Sequence, residues 1–292
     1  MSEVETLKAG PVPPKPVPPK NATPWALEHL PPFSPVAMRL VRLLYRDDVH
    51  IRDVSEFISA EPVFSARVLQ IANSPLFALE RQVRTISHAV VVIGLERVKG
   101  IAVTSALGDF AAPALKNAAL RACWQSSLAG AILAEVLARP CGIDQGFAYT
   151  AGLLRDIGRL ALLVQYPEAY ANLLAVSQES CYDLVATEWE LFDIDHCQAG
   201  EWMAARMPLP LELCEVIAQH HDDSLKPPFG PIHLVRCADR MADALGFSVL
   251  PVSVRPSFED AVQELPEQAS SRMQWTAEEL TKLVSSRIAT WS

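Results

Sequence analysis

The apolar positions of this chain recur at helical spacing over most of its length. They begin after Ser34 and Pro35, an N-cap residue followed by a first-turn proline. Apolar residues three and four positions apart indicate one amphipathic helix after another, whereas the period-2 alternation typical of strands is absent. The predicted helices cover residues 35–45, 51–60, 62–73, 87–93, 95–107, 118–139, 147–165, 167–179, 181–190, 195–207, 210–221 and 231–245. The sequence therefore predicts an all-α protein.

The two ends of the chain depart from this pattern. Residues 10–24 consist largely of proline, valine and lysine, with VPPK repeated, so residues 1–25 are predicted to be a disordered, polyproline-like tail. Residues 247–272 are rich in proline and glutamate and are predicted to form a loop. Thr276 and Glu279 then fit a capping box that opens a last helix over 277–290.

Composition restricts the kind of protein. Half of the 292 residues are hydrophobic, which allows a large core, and the formal charge of −9 disfavours nucleic acid and anionic membranes as partners. The sequence has no N-terminal apolar leader and no apolar run long enough to span a bilayer, so we expect a cytoplasmic location. The six cysteines include no C-x-x-C pair, so they are interpreted as reduced thiols rather than as a zinc ribbon.

One segment, AGLLRDIGRL at residues 151–160, carries charged residues within an apolar helical stripe. On an ideal helix Asp156 lies at the border of that stripe and Arg155 lies nearly opposite its centre. A carboxylate at the edge of a buried face needs a partner, because burial without one is costly. That partner could be a metal ion, an arginine or a helix end.

Several segments together resemble the HDOD family, the HD-related output domains of bacterial signalling proteins. The first half is carried by LPPFSPVAMRLVRLL, VSEFISAEPVFSARVLQIANSPLF and ISHAVVVIGLERVKGIAV, and the second by AGLLRDIGRL, DHCQAGEWMAARMPLP, IAQHH and CADRMADAL. The resemblance implies an HDOD domain over residues 26–246, with an N-terminal helical part over about 26–112 and a degenerate HD-type bundle over 113–246. Residues 247–292 would add the loop and the C-terminal helix.

The resemblance also implies a set of pocket positions. HD phosphohydrolases hold metal with a histidine, a His-Asp pair and a later aspartate, and many add two histidines. The corresponding residues in this chain are Ser126, Arg155, Asp156, His196, His220 or His221, and Asp239. Helical spacing independently places His196 and Asp239 on inward faces.

The pocket is expected to be degenerate, because Ser126 and Arg155 stand where the family has imidazoles. Arg155 could satisfy Asp156 or Asp239 without a metal if the helix were bent there. We therefore expect no cofactor and no metal; if a metal is bound, the expected ligands are Asp156, His196, His221 and Asp239. His220 and His221 lie about 100° apart on an ideal helix and are not both expected to reach one ion.

Two neighbouring signals are interpreted as structural. His221-Asp222 spells the HD pair literally, but its polar surroundings indicate a solvated helix end. Asp195, directly before His196, is predicted to be a helix N-cap.

The function expected from the resemblance is that of a non-catalytic signalling module with a protein partner. A residual metal-dependent phosphohydrolase is the first alternative. A DNA-binding regulator is the second, because ISHAVVVIGLERVKGIAVTSAL has the outline of a helix-turn-helix. Its Gly94 comes five positions after Ala89 rather than four, and Ile101, Ala102 and Val103 are too apolar for a DNA groove, so a core helix is predicted and no nucleic acid is expected as a partner. The oligomeric state stays open.

Overall fold

The protein is all-α in the residues that the computed structural model describes. These are residues 23–46, 48–73, 82–180, 183–222, 228–249 and 256–291, and they contain α-helices and short 3₁₀ turns but no β-strand. The prediction of an all-α fold is confirmed. Residues 1–22, most of the predicted tail, lie outside the described residues.

The first five helices build an N-terminal part. They are α1 (Pro35–Leu44), α2 (Ile51–Ala60), α3 (Pro62–Ala72), α4 (Ile86–Ile93) and α5 (Leu95–Ala111). Leu40, Ile58 and Val90 belong to the apolar cluster that these helices enclose. Gly94, with φ at +85°, separates α4 from α5 in a backbone conformation that other residues rarely adopt.

Helix α5 connects this part to the rest of the protein. Ile101 and Ala102 are buried in the N-terminal cluster, while Val103 and Leu107 are buried in the larger cluster of the following helices. The helix that a helix-turn-helix would use for DNA recognition therefore lies between two apolar cores.

In the described residues the second part contains eight helices, with the long, largely buried helix α6 at its centre. They are α6 (Ala118–Ala138), α7 (Gln145–Leu154), α8 (Ile157–Gln165), α9 (Pro167–Ser180), α10 (Leu184–Phe192), α11 (His196–Ala204), α12 (Leu211–Gln219) and α13 (Pro231–Ala244). Helix α6 packs against α7, α8, α9 and α13, and α11 packs against α8 and α12. This arrangement brings α6, α8, α11, α12 and α13 around one polar interior.

The single helix predicted over 147–165 is wrong, because the chain bends between α7 and α8. Leu154 ends α7, Arg155 is its C-cap, and Asp156, with φ −98° and ψ 20°, precedes α8. A Cβ atom on Gly158 would collide with the backbone of His196 and Gly200, so glycine permits the close approach of α8 to α11. The bend turns Arg155 inward, where an ideal helix would have directed it away from the apolar stripe.

The loop predicted over 247–272 is also wrong in its described residues. Ser257 caps α14 (Phe258–Gln263), and a second short helix, α15 (Glu267–Ser270), follows it. Each buries an alanine on the core, Ala261 and Ala269. Leu265 between them is buried as well, but the two helices, of six and four residues, are too short to give a periodicity that sequence reasoning detects.

The last helix, α16 (Ala277–Ala289), begins at the predicted capping box of Thr276 and Glu279. Arg287 on this helix pairs with the buried Glu135 at 2.6 Å, and Arg67 in α3 donates to the carbonyl of Thr290. The C-terminal segment thus contacts both helical parts.

The described chain begins with a 3₁₀ turn, Trp25–Leu27, whose Ala26 and Leu27 are buried. Trp25, assigned to the tail by the sequence, donates from its indole nitrogen to Asp193 at 3.0 Å. None of the described helices combines the length and apolarity required to cross a membrane.

Candidate functional site

Arg155 is the largest fully buried side chain among the described residues, with 1% of its surface exposed. Its Nη2 atom lies 2.5 Å from Asp239 Oδ1 and 3.2 Å from Asp156 Oδ2. Its Nη1 atom donates to the carbonyl of Gly152 at 2.7 Å. We call Arg155, Asp156 and Asp239 the arginine–carboxylate cluster. The guanidinium joins the two carboxylates that the sequence placed at the pocket.

Helix α6 makes the space that this guanidinium fills. A Cβ atom on Gly130 would collide with Arg155 Nη1, and the carbonyl and hydroxyl oxygens of Ser126 lie 3.3 and 3.5 Å from Nη2. Ser126 and Gly130 are four residues apart and share one helix face. The guanidinium of Arg155 therefore fits against α6 because the residues at positions 126 and 130 are small.

The charges in this cluster stabilise one another. Burial alone would raise the pKa of Asp156, but the guanidiniums of Arg159 and Arg155 outweigh it and hold that pKa well below its usual range. Asp243, one turn after Asp239 on α13, responds differently: burial and the neighbouring Asp239 raise its pKa to about 6. Asp156 therefore stays ionised at neutral pH.

A second group of polar side chains lies beside the first. His196 and Cys197 open α11, and His220 and His221 follow the end of α12. One donor atom from each of the four lies within 4.8 Å of the others. We call these four residues the imidazole–thiol cluster.

The positions of His220 and His221 correct the sequence expectation. The two side chains were expected to diverge as neighbours on an ideal helix, but α12 ends at Gln219 and His221 lies in a turn. Their ring centroids are 4.4 Å apart, and lie 5.4 and 5.0 Å from that of His196. His221 is exposed, as predicted for a solvated helix end, yet it still contacts both other imidazoles.

Sequence reasoning missed three residues that hold His196 in place. Glu188 Oε2 lies 2.6 Å from His196 Nδ1 and accepts from the His196 backbone N–H at 2.9 Å. The hydroxyl of Tyr170 donates to the other oxygen of Glu188. Arg159 Nη2 lies 3.3 Å from His196 Nε2 and 3.4 Å from Asp156 Oδ1.

Only one of these residues left a usable signal in the sequence. Asp156 and Arg159 have the i, i+3 spacing of a helical ion pair. Glu188 and Tyr170 lie in separate helices, and no local spacing relates either of them to His196. The predicted N-cap is correct, because Asp195 Oδ1 accepts from the backbone N–H of Gln198.

Burial and ion pairing oppose each other in the imidazole–thiol cluster. Burial would lower the pKa of His196, but Glu188 raises it to about 10. Burial likewise opposes protonation of His220, yet Asp156 and Cys197 raise its pKa to about 9. For Cys197, burial favours the neutral thiol, but His196 and His220 lower the pKa to about 7.

An open cavity of about 260 Å³ gives access to both clusters. Its polar lining includes Ser126, Arg159, His221, Asp239, Asp243 and Ser248. The site as a whole is therefore a polar interior reached from one side, with two guanidiniums fixed among carboxylates and three imidazoles close to a thiol.

The chain belongs to the HDOD domain family. The model of that family matches residues 30–223, which include Ser126, both residues of the Arg155-Asp156 pair, and the four residues of the imidazole–thiol cluster. Asp239 lies beyond the matched residues.

Solved structures share this fold. An HDOD domain protein of unknown function from Geobacter sulfurreducens is 24% identical, with a TM-score of 0.65 and coverage of 91% of this chain and 92% of that one. A protein from Shewanella amazonensis SB2B, described provisionally as a phosphohydrolase, is 22% identical, with a TM-score of 0.65 and coverage of 91% and 93%. A protein from Marinobacter aquaeolei VT8, described provisionally as a signal transduction protein, is 22% identical, with a TM-score of 0.67 and coverage of 90% and 59%.

One curated relative is an uncharacterized protein of Treponema pallidum (strain Nichols). It is 23% identical over 199 residues, which make up 67% of this chain. The matched region spans only 38% of the length of that relative.

Proposed function

We propose that this HDOD protein is a non-catalytic signal-transduction module that acts through contacts with a protein partner. The observation that carries the proposal is the buried guanidinium of Arg155, bonded to both Asp156 and Asp239. The HD phosphohydrolases that the chain resembles place a histidine ligand where this arginine stands. A fixed cation in that position stabilises the carboxylates without a divalent ion.

The donor set does not fit the metal centre that the resemblance implies. Ser126 and Arg155 supply no imidazole, and Arg155 engages one oxygen of each carboxylate. Arg159 pairs with the other oxygen of Asp156 at 3.4 Å, so each oxygen of this carboxylate already faces a guanidinium. The cluster therefore lacks free ligands for the metal ion that hydrolysis of a phosphodiester would require.

The signalling part of the proposal is supported by family membership and by the signalling description of the Marinobacter protein. Burial of Ile101, Ala102 and Val103 in α5 weighs against the DNA-binding alternative. We also propose a cytoplasmic location, in keeping with the proposed signalling role.

A phosphodiesterase assay tests the non-catalytic part. The full chain, supplied in turn with Mg²⁺, Mn²⁺ and Zn²⁺, is incubated with bis(p-nitrophenyl) phosphate. We expect the same background rate for the natural protein and for Asp156→Asn. Metal-dependent turnover that Asp156→Asn abolishes would contradict the proposal.

A complementation experiment tests the signalling part. A strain lacking the gene is supplied with the natural gene or with Asp239→Asn, an isosteric change at a side chain that is 29% exposed. We expect both genes to restore the wild-type transcript profile once their protein levels are matched. Restoration by the natural gene alone, with the variant folded as shown by an unchanged urea midpoint, would favour an enzyme that uses Asp239.

A further inference from the structure

We propose that the imidazole–thiol cluster, His196, Cys197, His220 and His221, is a binding site for one thiophilic divalent ion of the Zn²⁺ class. The site goes beyond the proposed function and does not depend on it. It also differs from the ligand set that the family resemblance implies, because a thiol takes part and because Asp156 and Asp239 already pair with the guanidiniums of Arg155 and Arg159.

The first argument is convergence. The four residues come from two helix ends, and one donor atom from each lies within 4.8 Å of the others. His220 Nδ1 lies 3.0 Å from the carbonyl oxygen of Ile217, so Nε2 is the nitrogen that is available to an ion. Zinc binds nitrogen at about 2.0 Å and sulfur at about 2.3 Å, so donors around one tetrahedral ion lie roughly 3.4 Å apart. The donors need to move inward by about 1 Å, a shift that residues at helix ends can make.

The second argument is the way in which His196 is held. Its Nδ1 atom pairs with Glu188, which in turn accepts from Tyr170. A carboxylate that binds one ring nitrogen orients the other toward a metal, and this is the usual support of metal-binding histidines. In this protein Nε2 is the nitrogen that remains, and it faces Arg159 at 3.3 Å. An ion at Nε2 replaces that contact, and Arg159 keeps its pairing with Asp156.

The third argument is an unsatisfied polar atom. His220 is buried, and its Nε2 atom has no hydrogen-bond partner among the described residues. Asp156 Oδ1 lies 3.7 Å away, close enough to attract the imidazole electrostatically but beyond hydrogen-bonding distance. Buried polar nitrogens are normally paired, so this atom is accounted for if the imidazole serves as a ligand.

Charge and access agree with a divalent ion. Two buried carboxylates, Asp156 and Glu188, lie beside the cluster and favour a cation there. An ion takes the place of the protons on the imidazole nitrogens of His196 and His220, so binding releases protons. His221 is exposed and lines the open cavity, which provides a path for entry.

The donor types select the ion. Thiolate and imidazole suit Zn²⁺ and its spectroscopic substitute Co²⁺, whereas Mg²⁺ and Ca²⁺ prefer oxygen ligands. A bound ion would cross-link the start of α11 and the end of α12. If the proposed signalling function also holds, metal availability could alter the surface of the module through this cross-link.

Cobalt titration of the metal-free, reduced full chain tests the site. We expect one Co²⁺ per chain, with a thiolate-to-cobalt charge-transfer band and the intense visible bands of tetrahedral cobalt, all displaced by Zn²⁺. Cys197→Ser should remove the charge-transfer band. Cys214→Ser, a matched change at a half-buried cysteine on α12 outside the cluster, should leave it intact.

Two further variants keep the test decisive if Cys197→Ser misfolds. His221→Gln changes an exposed side chain and should weaken cobalt binding at least tenfold, and Glu188→Gln should weaken it by about 10- to 100-fold through loss of orientation. Absence of the charge-transfer band in the natural protein, or its persistence in Cys197→Ser, would overturn the proposal. The readout is a spectrum, so its failure is distinct from the detection of phosphodiesterase activity.

Discussion

The arginine–carboxylate cluster and the imidazole–thiol cluster are neighbours that treat buried charge in different ways. In the first, Arg155 lies 1% exposed between Asp156 and Asp239, and a cation is part of the chain itself. In the second, His196, His220 and Cys197 approach one another and leave His220 Nε2 without a hydrogen-bond partner in the described residues. The comparison teaches that two neighbouring clusters in one polar interior can treat buried charge differently, one with a cation of the chain itself and the other with a donor atom that has no partner in the described part of the chain.

The two clusters share Asp156, which explains how they can diverge and still fit together. Its Oδ2 atom faces Arg155 at 3.2 Å, and its Oδ1 atom lies 3.6 Å from His196 Nε2 and 3.7 Å from His220 Nε2. Removal of the Asp156 charge would therefore affect both clusters. The contributions of the two clusters are best separated by variants at residues that belong to only one of them.

The largest expected effect follows from removal of the built-in cation. Arg155→Met keeps most of the side-chain volume but leaves Asp156 and Asp239 without their shared guanidinium. Loss of one partner of a buried ion pair typically costs about 3–5 kcal/mol, and we expect a decrease of that order in the free energy of unfolding, measured by urea denaturation.

Arg240→Met is the matched control for this change. Arg240 lies on α13 and pairs with Glu264, but its side chain is 52% exposed, so the loss should stay under about 1 kcal/mol. Equal losses in the two variants would mean that Arg155 contributes no more than a surface ion pair.

A smaller effect is expected from the glycine that brings α8 to α11. Gly158→Ala places a methyl group against the backbone of His196 and Gly200, which cannot yield as a flexible side chain can. We expect a loss of about 1–3 kcal/mol, typical of overpacking, together with weaker cobalt binding at the displaced His196.

Gly108→Ala provides the contrast. A Cβ atom there would meet Trp124 of α6 at 3.6 Å, an ordinary van der Waals contact, so the higher helix propensity of alanine should leave the protein as stable or slightly more stable. A larger loss in Gly108→Ala than in Gly158→Ala, measured by the same denaturation, would contradict the close packing inferred between α8 and α11.

In the metal-free protein, the two clusters are expected to stabilise the fold over different ranges of pH. The pKa of Asp156 is held below its ordinary value of 3.8, so its contribution to folding is present above that pH and is lost as the pH falls through the lower folded-state value. The pKa of His196 is raised from 6.5 to about 10, so its contribution is present below 6.5 and is lost as the pH rises through 10.

Urea midpoints measured across the pH range should therefore decrease at both ends. Glu188→Gln removes the main cause of the raised pKa of His196, so we expect a flatter alkaline limb and an acid limb like that of the natural protein. An unchanged alkaline limb would show that the ion pair of His196 and Glu188 does not stabilise the fold.

Much of the fold was predictable because it rests on local periodicity and capping. The bounds of α2, the break at Gly94 and the capping box at Thr276 all follow from spacings within a few residues. The bend between α7 and α8 could not be predicted in this way, because Gly158 is needed for contact with α11, which lies about 40 residues further along the chain.

In the candidate site, too, the residues that could be predicted differ from those that depend on contacts between distant helices. Sequence reasoning named Ser126, Arg155 and Asp239, and identified the pairing that would satisfy the carboxylates if the helix were bent. It missed Glu188 and the close approach of His220 to His221, because both depend on where helices end and on how distant helices pack. Ideal-helix angles cannot describe a residue that lies beyond the last helical turn.

Native mass spectrometry of the zinc-loaded full chain tests the difference between the clusters most directly. We predict one zinc ion per chain in the natural protein, held by the imidazole–thiol cluster, and none in Cys197→Ser at the same free zinc concentration. Ser126→His combined with Arg155→His should restore ligands in the other cluster and bind a second ion. Two ions in the natural protein, with one retained in Cys197→Ser, would contradict the claim that Arg155 takes the place of a metal.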